Sequence, residues 1–121
     1  MKLYLSSLKD MKTLPDGIEK LFIARQPIKD MAKYGLHHVK SLAPSIELLK
    51  DFKTGNISWN EYVWRFRQEM MNKKDVLDFV YEFLKKKDVA FICYCCDEHC
   101  HRFILGHYFQ ELGIEVKKEW L

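Results

Sequence analysis

Glycine and proline are scarce in this chain, five and three of 121 residues, so collagen-like, low-complexity and disordered architectures are excluded. Neither of the glycine-rich phosphate cradles, Gly-x-Gly-x-x-Gly or Gly-x-x-x-x-Gly-Lys-Ser/Thr, occurs. No apolar run approaches the ~18 residues of a membrane helix. The opening MKLYLSSLKDMK also lacks the apolar stretch of a signal peptide. The expectation is a cytoplasmic protein with no membrane partner. A large charge surplus is missing too: 20 Lys and Arg against 17 Asp and Glu leave +3. A nucleic-acid binder usually shows a stronger basic excess, so that partner has little support here.

Apolar material is plentiful. Hydrophobic residues make up 48%, with eight Phe, six Tyr and three Trp, enough for a core that needs no disulfide or metal staple. The three Trp (Trp59, Trp64 and Trp120) read as packing residues. The length is that of one ordinary domain, residues 1–121.

Leu3–Ser6 and Leu21–Ala24 read as strands, the second after a Pro-Asp-Gly turn. The stretch from Arg25 to Ser45, punctuated by Pro27, Gly35 and Pro44, reads as a long irregular connection carrying His37 and His38. Ile46, Leu49 and Phe52 begin a helical pattern that stops at Thr54-Gly55-Asn56. Ser58 with Glu61 is a capping box, with Ile57 and Tyr62 spaced to staple across it, and Tyr62, Val63, Phe66 and Met70 continue one apolar face. Asp75 is the expected cap of a further helix bearing Val76, Val80, Phe83 and Leu84, which Lys85-Lys86-Lys87 closes.

Val89–Tyr94 is a continuous apolar run, as a strand buried on both faces requires. A polar turn, a helix with Leu105, Tyr108, Phe109 and Leu112 on one stripe, Gly113 and a strand Ile114–Lys117 follow. Strand–turn–helix–strand order implies an α/β domain: a small, mainly parallel sheet of about four strands covered by helices on both faces. Ligands of such sheets sit beyond the carboxyl ends of the strands. There the chain would assemble Ser6 and Ser7, Arg25, and the stretch from Cys95 to Arg102.

All four cysteines fall in CYCCDEHCHR, residues 93–102. Cys93, inside the apolar run, reads as a small buried hydrophobe. Cys100 lies near the first turn of the last helix, where unpaired N–H groups favour an anion. That anion is a reactive thiolate, or a bound phosphate or carboxylate forked by Arg102. His101 is the neighbouring base, and Glu98 either joins the acid–base chemistry or balances the helix dipole. Cys95, Cys96, His99 and Cys100 form an alternative donor set for zinc, although zinc motifs usually join two separated pairs. Cys95 or Cys96 with Cys100 is a candidate redox pair, whereas a bridge between the adjacent Cys95 and Cys96 would be strained.

An apolar strand ending in Cys-Tyr, a short loop, then Cys-His-Arg opening a helix resembles the family called domain of unknown function 488. MKLYLSSL resembles its first strand and LFIARQP its second. LAPSIELLKDFKTGNISWNEYVWRF resembles its helical middle, and ELGIEVKKEW its closing helix and strand. The resemblance implies a compact α/β domain with Cys100, His101, Arg102 and Arg25 as a shared polar centre. It implies no particular reaction. Cys95 stands where relatives commonly carry Glu, and the loop is shorter, so Cys95 and Cys96 are features of this chain.

The functional expectation is an anionic small molecule or nucleotide bound at the Cys-His-Arg helix start. Cys100 and His101 would be catalytic in thiol- or His-dependent transfer or hydrolysis; Arg102, Arg25, Ser6, Ser7 and Glu98 would hold the ligand. No cofactor is specified, zinc being the ion for the alternative donor set. The competing classes are a zinc-binding module and a protein or nucleic-acid interaction domain without catalysis.

Overall fold

The computed structural model describes residues 2–94 and 99–117. Among them are five strands: β1 (Lys2–Ser7), β2 (Glu19–Phe22), β3 (Leu36–His38), β4 (Val89–Cys93) and β5 (Glu115–Lys117). Four α-helices accompany them: α1 (Ile46–Lys53), α2 (Trp59–Met71), α3 (Lys74–Leu84) and α4 (His101–Glu111). The strands form one sheet in the order β3-β2-β4-β1-β5, and every pairing is parallel. None of the described helices is long and apolar enough to cross a membrane.

The central strands are the apolar ones. β4 is buried at every residue and β1 at every residue after Lys2, so both faces of the sheet are covered. Right-handed crossovers divide the cover. The connections that lead rightward through the strand order, β3 to β4 and β4 to β5, carry the four α-helices, with α2 packed against α1, α3 and α4. The connections that lead leftward, β1 to β2 and β2 to β3, carry only the short 3-10 turns Met11–Thr13 and Ala32–Tyr34. Met11, Ile28 and Met31 on these connections pack against the core.

Local chemistry fixes several boundaries. Ser45 and Ser58 cap α1 and α2, their hydroxyls accepting from Leu48 N–H and Glu61 N–H. Gly35 takes φ +68°, the left-handed turn that ends a 3-10 segment and releases β3. Gly106 lies where a Cβ would stand 2.6 Å from Leu5 Cδ1, so α4 crosses β1 at a distance only glycine permits.

Four expectations need correction. The Arg25–Ser45 connection holds a strand, β3, so His37 and His38 sit on the sheet edge rather than in a loop. Three residues are too few to show a period, and two of them are polar. α3 starts at Lys74 with Lys73 at its cap and no side-chain capping bond; Asp75 lies inside the first turn, where its charge suits the dipole. β2 ends at Phe22, not Ala24, although Ile23 N–H still bonds Ile92 O at 2.9 Å. Trp64 is 61% exposed on α2 and does not pack in the core. Trp59 does pack, stacked on Tyr62, while Trp120 lies outside the described residues.

Candidate functional site

Three strand ends and one helix start converge at the carboxyl edge of the sheet. β2 leaves leftward and its neighbour β4 rightward, the kind of switch point beside which α/β sheets hold ligands. Cys93 is the last residue of β4, and Cys100 is the N-cap of α4, in extended conformation at φ −129° and ψ 141°. His101 and Arg102 form the first turn of α4.

The sulfurs of Cys93 and Cys100 and a ring nitrogen of His101 lie within 4.8 Å of one another, all three residues buried. The hydrogen bonds settle the His101 tautomer. Nε2 is 2.8 Å from the carbonyl oxygen of Ile23, which can only accept, so Nε2 carries the proton. In the neutral ring Nδ1 then presents its lone pair, 3.9 Å from Cys100 Sγ. Phe66 closes the ring's other side in an edge contact at 5.6 Å. Arg102 is fully buried; its Nη1 donates to Cys100 Sγ at 3.7 Å, and its guanidinium lies over Phe103 at 4.6 Å.

Cys93 and His101 line a cavity of about 580 Å³, together with Arg25, Phe52, Tyr62 and His99. Lys53 and Gln26 stand at the same cavity. Arg25 Nη1 donates to Pro44 O at 3.5 Å. Its Nε is buried with no hydrogen-bond partner among the described residues. His99 is exposed and stacks on Trp59 at 4.8 Å.

Two histidines hold the chain that delivers Arg25. His101 donates to Ile23 O from α4, and His38 Nε2 donates to Ala24 O at 2.7 Å from β3. Consecutive carbonyls are thus fixed just before the arginine.

The expected site residues do not all meet there. Cys100, His101 and Arg102 form one buried cluster, of which His101 lines the cavity together with Arg25 while Cys100 and Arg102 do not line it. Ser6 is buried and does not line that cavity. Ser7 turns its hydroxyl to Asp10, donating to Oδ2 and accepting from the backbone N–H, both at 3.2 Å. Cys95, Cys96 and Glu98 lie outside the described residues. His37 pairs with Glu19 at 2.9 Å on the sheet edge, away from the cavity.

Cys93 is the residue that sequence reasoning missed. Its signal was its place: the last buried residue of the central strand, on the same rim as the other candidates.

The family model of DUF488-N3a, described as the active DUF488-N3 subclade, matches residues 3–113. No curated protein and no solved structure matches the chain.

Proposed function

The chain belongs to the DUF488 family, and from the cavity its Cys/His cluster opens on we propose that it binds an anionic small molecule or nucleotide and acts on it by thiol-dependent transfer or hydrolysis. The observation that carries this reading is the sharing of one cavity wall by Arg25 and by Cys93 and His101 of the cluster. A cavity of about 580 Å³ suits a metabolite rather than a polymer. Arg25 offers a buried Nε for an anion, with Lys53 as a second cation. Phe52, Tyr62 and His99 supply ring surface for an aromatic portion.

Cys100 is the nucleophile in this reading. His101 Nδ1 takes its proton, and Arg102 with the α4 N-terminus favours the sulfur as an anion. The sulfur forms a bond to the electrophilic centre of the ligand while the bond to the leaving group breaks. The leaving group takes the proton back from Nδ1. Water or a second acceptor then displaces the sulfur, and the thiol is restored. Cys100 is only 2% exposed and is not among the cavity-lining residues, so in this reading the ligand's electrophilic centre must reach its sulfur past Cys93 and His101, which do line the cavity. Work through free thiols requires a reducing compartment, which fits the cytoplasm.

The test is site-resolved iodoacetamide labelling of Cys93 and Cys100 with and without phosphate, pyrophosphate or AMP as probes. A bound probe should slow labelling, and Arg25→Ala should remove that protection. If no probe protects either thiol, the reading fails.

A further inference from the structure

We propose that Cys93, Cys100 and His101 form a three-ligand site for a soft divalent cation such as zinc, with its fourth position open to the cavity. The site rests on the same cluster as the proposed function and regulates it: a metal-bound Cys100 sulfur donates its negative charge to the ion and becomes a weaker nucleophile, so metal loading suppresses the thiol chemistry.

The donor chemistry is that of zinc: two sulfurs and one imidazole nitrogen. Zn–S bonds of about 2.3 Å and Zn–N bonds of about 2.0–2.1 Å in tetrahedral geometry set ligand atoms roughly 3.5–3.8 Å apart. Cys100 Sγ and His101 Nδ1 already stand 3.9 Å apart, and all three donors fall within 4.8 Å. Closing the set therefore takes shifts of about 1 Å or less, within side-chain adjustment. The nitrogen that faces the sulfurs is Nδ1, because Nε2–H is held by the Ile23 carbonyl. A backbone carbonyl on the far nitrogen is the usual partner of a metal-bound histidine.

The donors also sit on firm supports. Cys93 ends the central strand, Cys100 and His101 start a helix pinned against β1 at Gly106, and none of the three relies on a loop tip. Charge favours occupancy and says what the fourth ligand is. Two thiolates cancel a divalent ion, and Arg102, donating to Cys100 Sγ, leaves the centre with one net positive charge. Water or an anion from the cavity suits the open position. This set differs from the one the sequence suggested: it replaces Cys95, Cys96 and His99 with Cys93 and His101.

The experiment needs only the wild-type chain, reduced and freed of metal. Titration with cobalt should give the thiolate charge-transfer bands of a tetrahedral ion, saturating at one equivalent and bleached by zinc. Alkylation is then mapped at each cysteine by mass spectrometry. Zinc should protect Cys93 and Cys100 and leave Cys95 and Cys96 reactive. His101→Gln should lose saturable cobalt binding while keeping the far-ultraviolet circular dichroism of the parent. Arg102→Lys, which alters the contact to a ligand sulfur, should change affinity by about 10–100-fold. Protection of Cys95 and Cys96 instead, or no cobalt spectrum at one equivalent, overturns the proposal. The thiol reading is judged separately, on the metal-free protein: anionic probes that fail to protect its thiols sink that reading even where zinc binds.

Discussion

Gly106→Ala tests the packing that places the α4 start. The added methyl would meet Leu5 Cδ1 at 2.6 Å, Cδ2 at 3.3 Å and Cγ at 3.4 Å. Leu5 is 1% exposed in the middle of β1, and Phe91 on the paired strand is locked edge-on against Phe109 of α4, so little free space receives the displaced side chain. Overpacking of this kind costs about 1–3 kcal/mol. Alanine in a helix interior recovers about 0.8–1 kcal/mol relative to glycine. The net expectation is a loss of about 1 kcal/mol, or about 4 °C in Tm for a domain of this size. Thermal and urea unfolding of Gly106→Ala, Leu5→Ala and the double variant form the assay. Leu5→Ala alone should cost about 2–5 kcal/mol through its cavity. In the double variant the new methyl enters that cavity, so the two changes should couple favourably by about 1 kcal/mol. A Gly106→Ala protein more stable than its parent, with the double variant additive to within about 0.5 kcal/mol, would show that the contact does not exist and that α4 is not pinned there.

Three further outcomes follow from local chemistry. Ser58→Ala removes the hydroxyl that accepts from Glu61 N–H and should cost about 1 kcal/mol in urea unfolding without altering thiol labelling. His38→Phe keeps a ring against Phe22 but removes the bond to Ala24 O, so it should cost about 1 kcal/mol and weaken probe protection that depends on Arg25; unchanged protection would remove His38 from the positioning of that arginine. The Asp51 carboxyl is held below its ordinary value, chiefly by the hydrogen bond from Arg65 that ties α1 to α2. A lowered folded-state value means a contribution present above the unfolded value of about 3.9 and lost as pH falls through the folded one. Asp51→Asn should therefore flatten the acid limb of a stability–pH profile, and an unchanged limb would discount the pair.

The parts legible in the sequence were those with strong local signals. The run Val89–Tyr94 announced a strand buried on both faces, which the structure holds over Val89–Cys93 with Tyr94 exposed, and Ser58 with Glu61 announced a helix start by a bond the structure contains. The short β3 was not legible, because Leu36-His37-His38 earns its place only by pairing with Lys20-Leu21-Phe22, a contact across sequence. At the site, Cys100 and His101 were readable as neighbours at a helix start. Cys93 was not, because hydrophobicity accounts equally well for a cysteine that only fills space and for one whose sulfur meets two other donors. The inward course of Arg102 was also hidden: the sequence offered it as the fork for a bound anion, and its burial against Cys100 and Phe103 shows only in the packing.

The same geometry explains why the cluster lies at this rim and not elsewhere on the sheet. Cys93 and Ser7 are register partners on β4 and β1, and Leu8 N–H closes the pair by bonding Cys93 O at 3.1 Å. That bond fixes the backbone beneath one sulfur from the β1 side. From the β2 side, the Ile23 carbonyl accepts a hydrogen bond from His101 Nε2–H, and Ile23 N–H donates to Ile92 O. The donors of the cluster are therefore held through the backbones of three adjacent strands, while Arg25, two residues beyond Ile23, is carried to the same cavity by the segment that His101 steadies. A substitution at His101 should accordingly disturb two things at once, the centre beside Cys100 and the seat of the cavity's arginine, whereas Cys100→Ser should disturb only the first. Comparing probe protection at Cys93 in the two variants separates them: retained in Cys100→Ser and weakened in His101→Gln. Equal protection in both would mean that Arg25 holds its position without the imidazole.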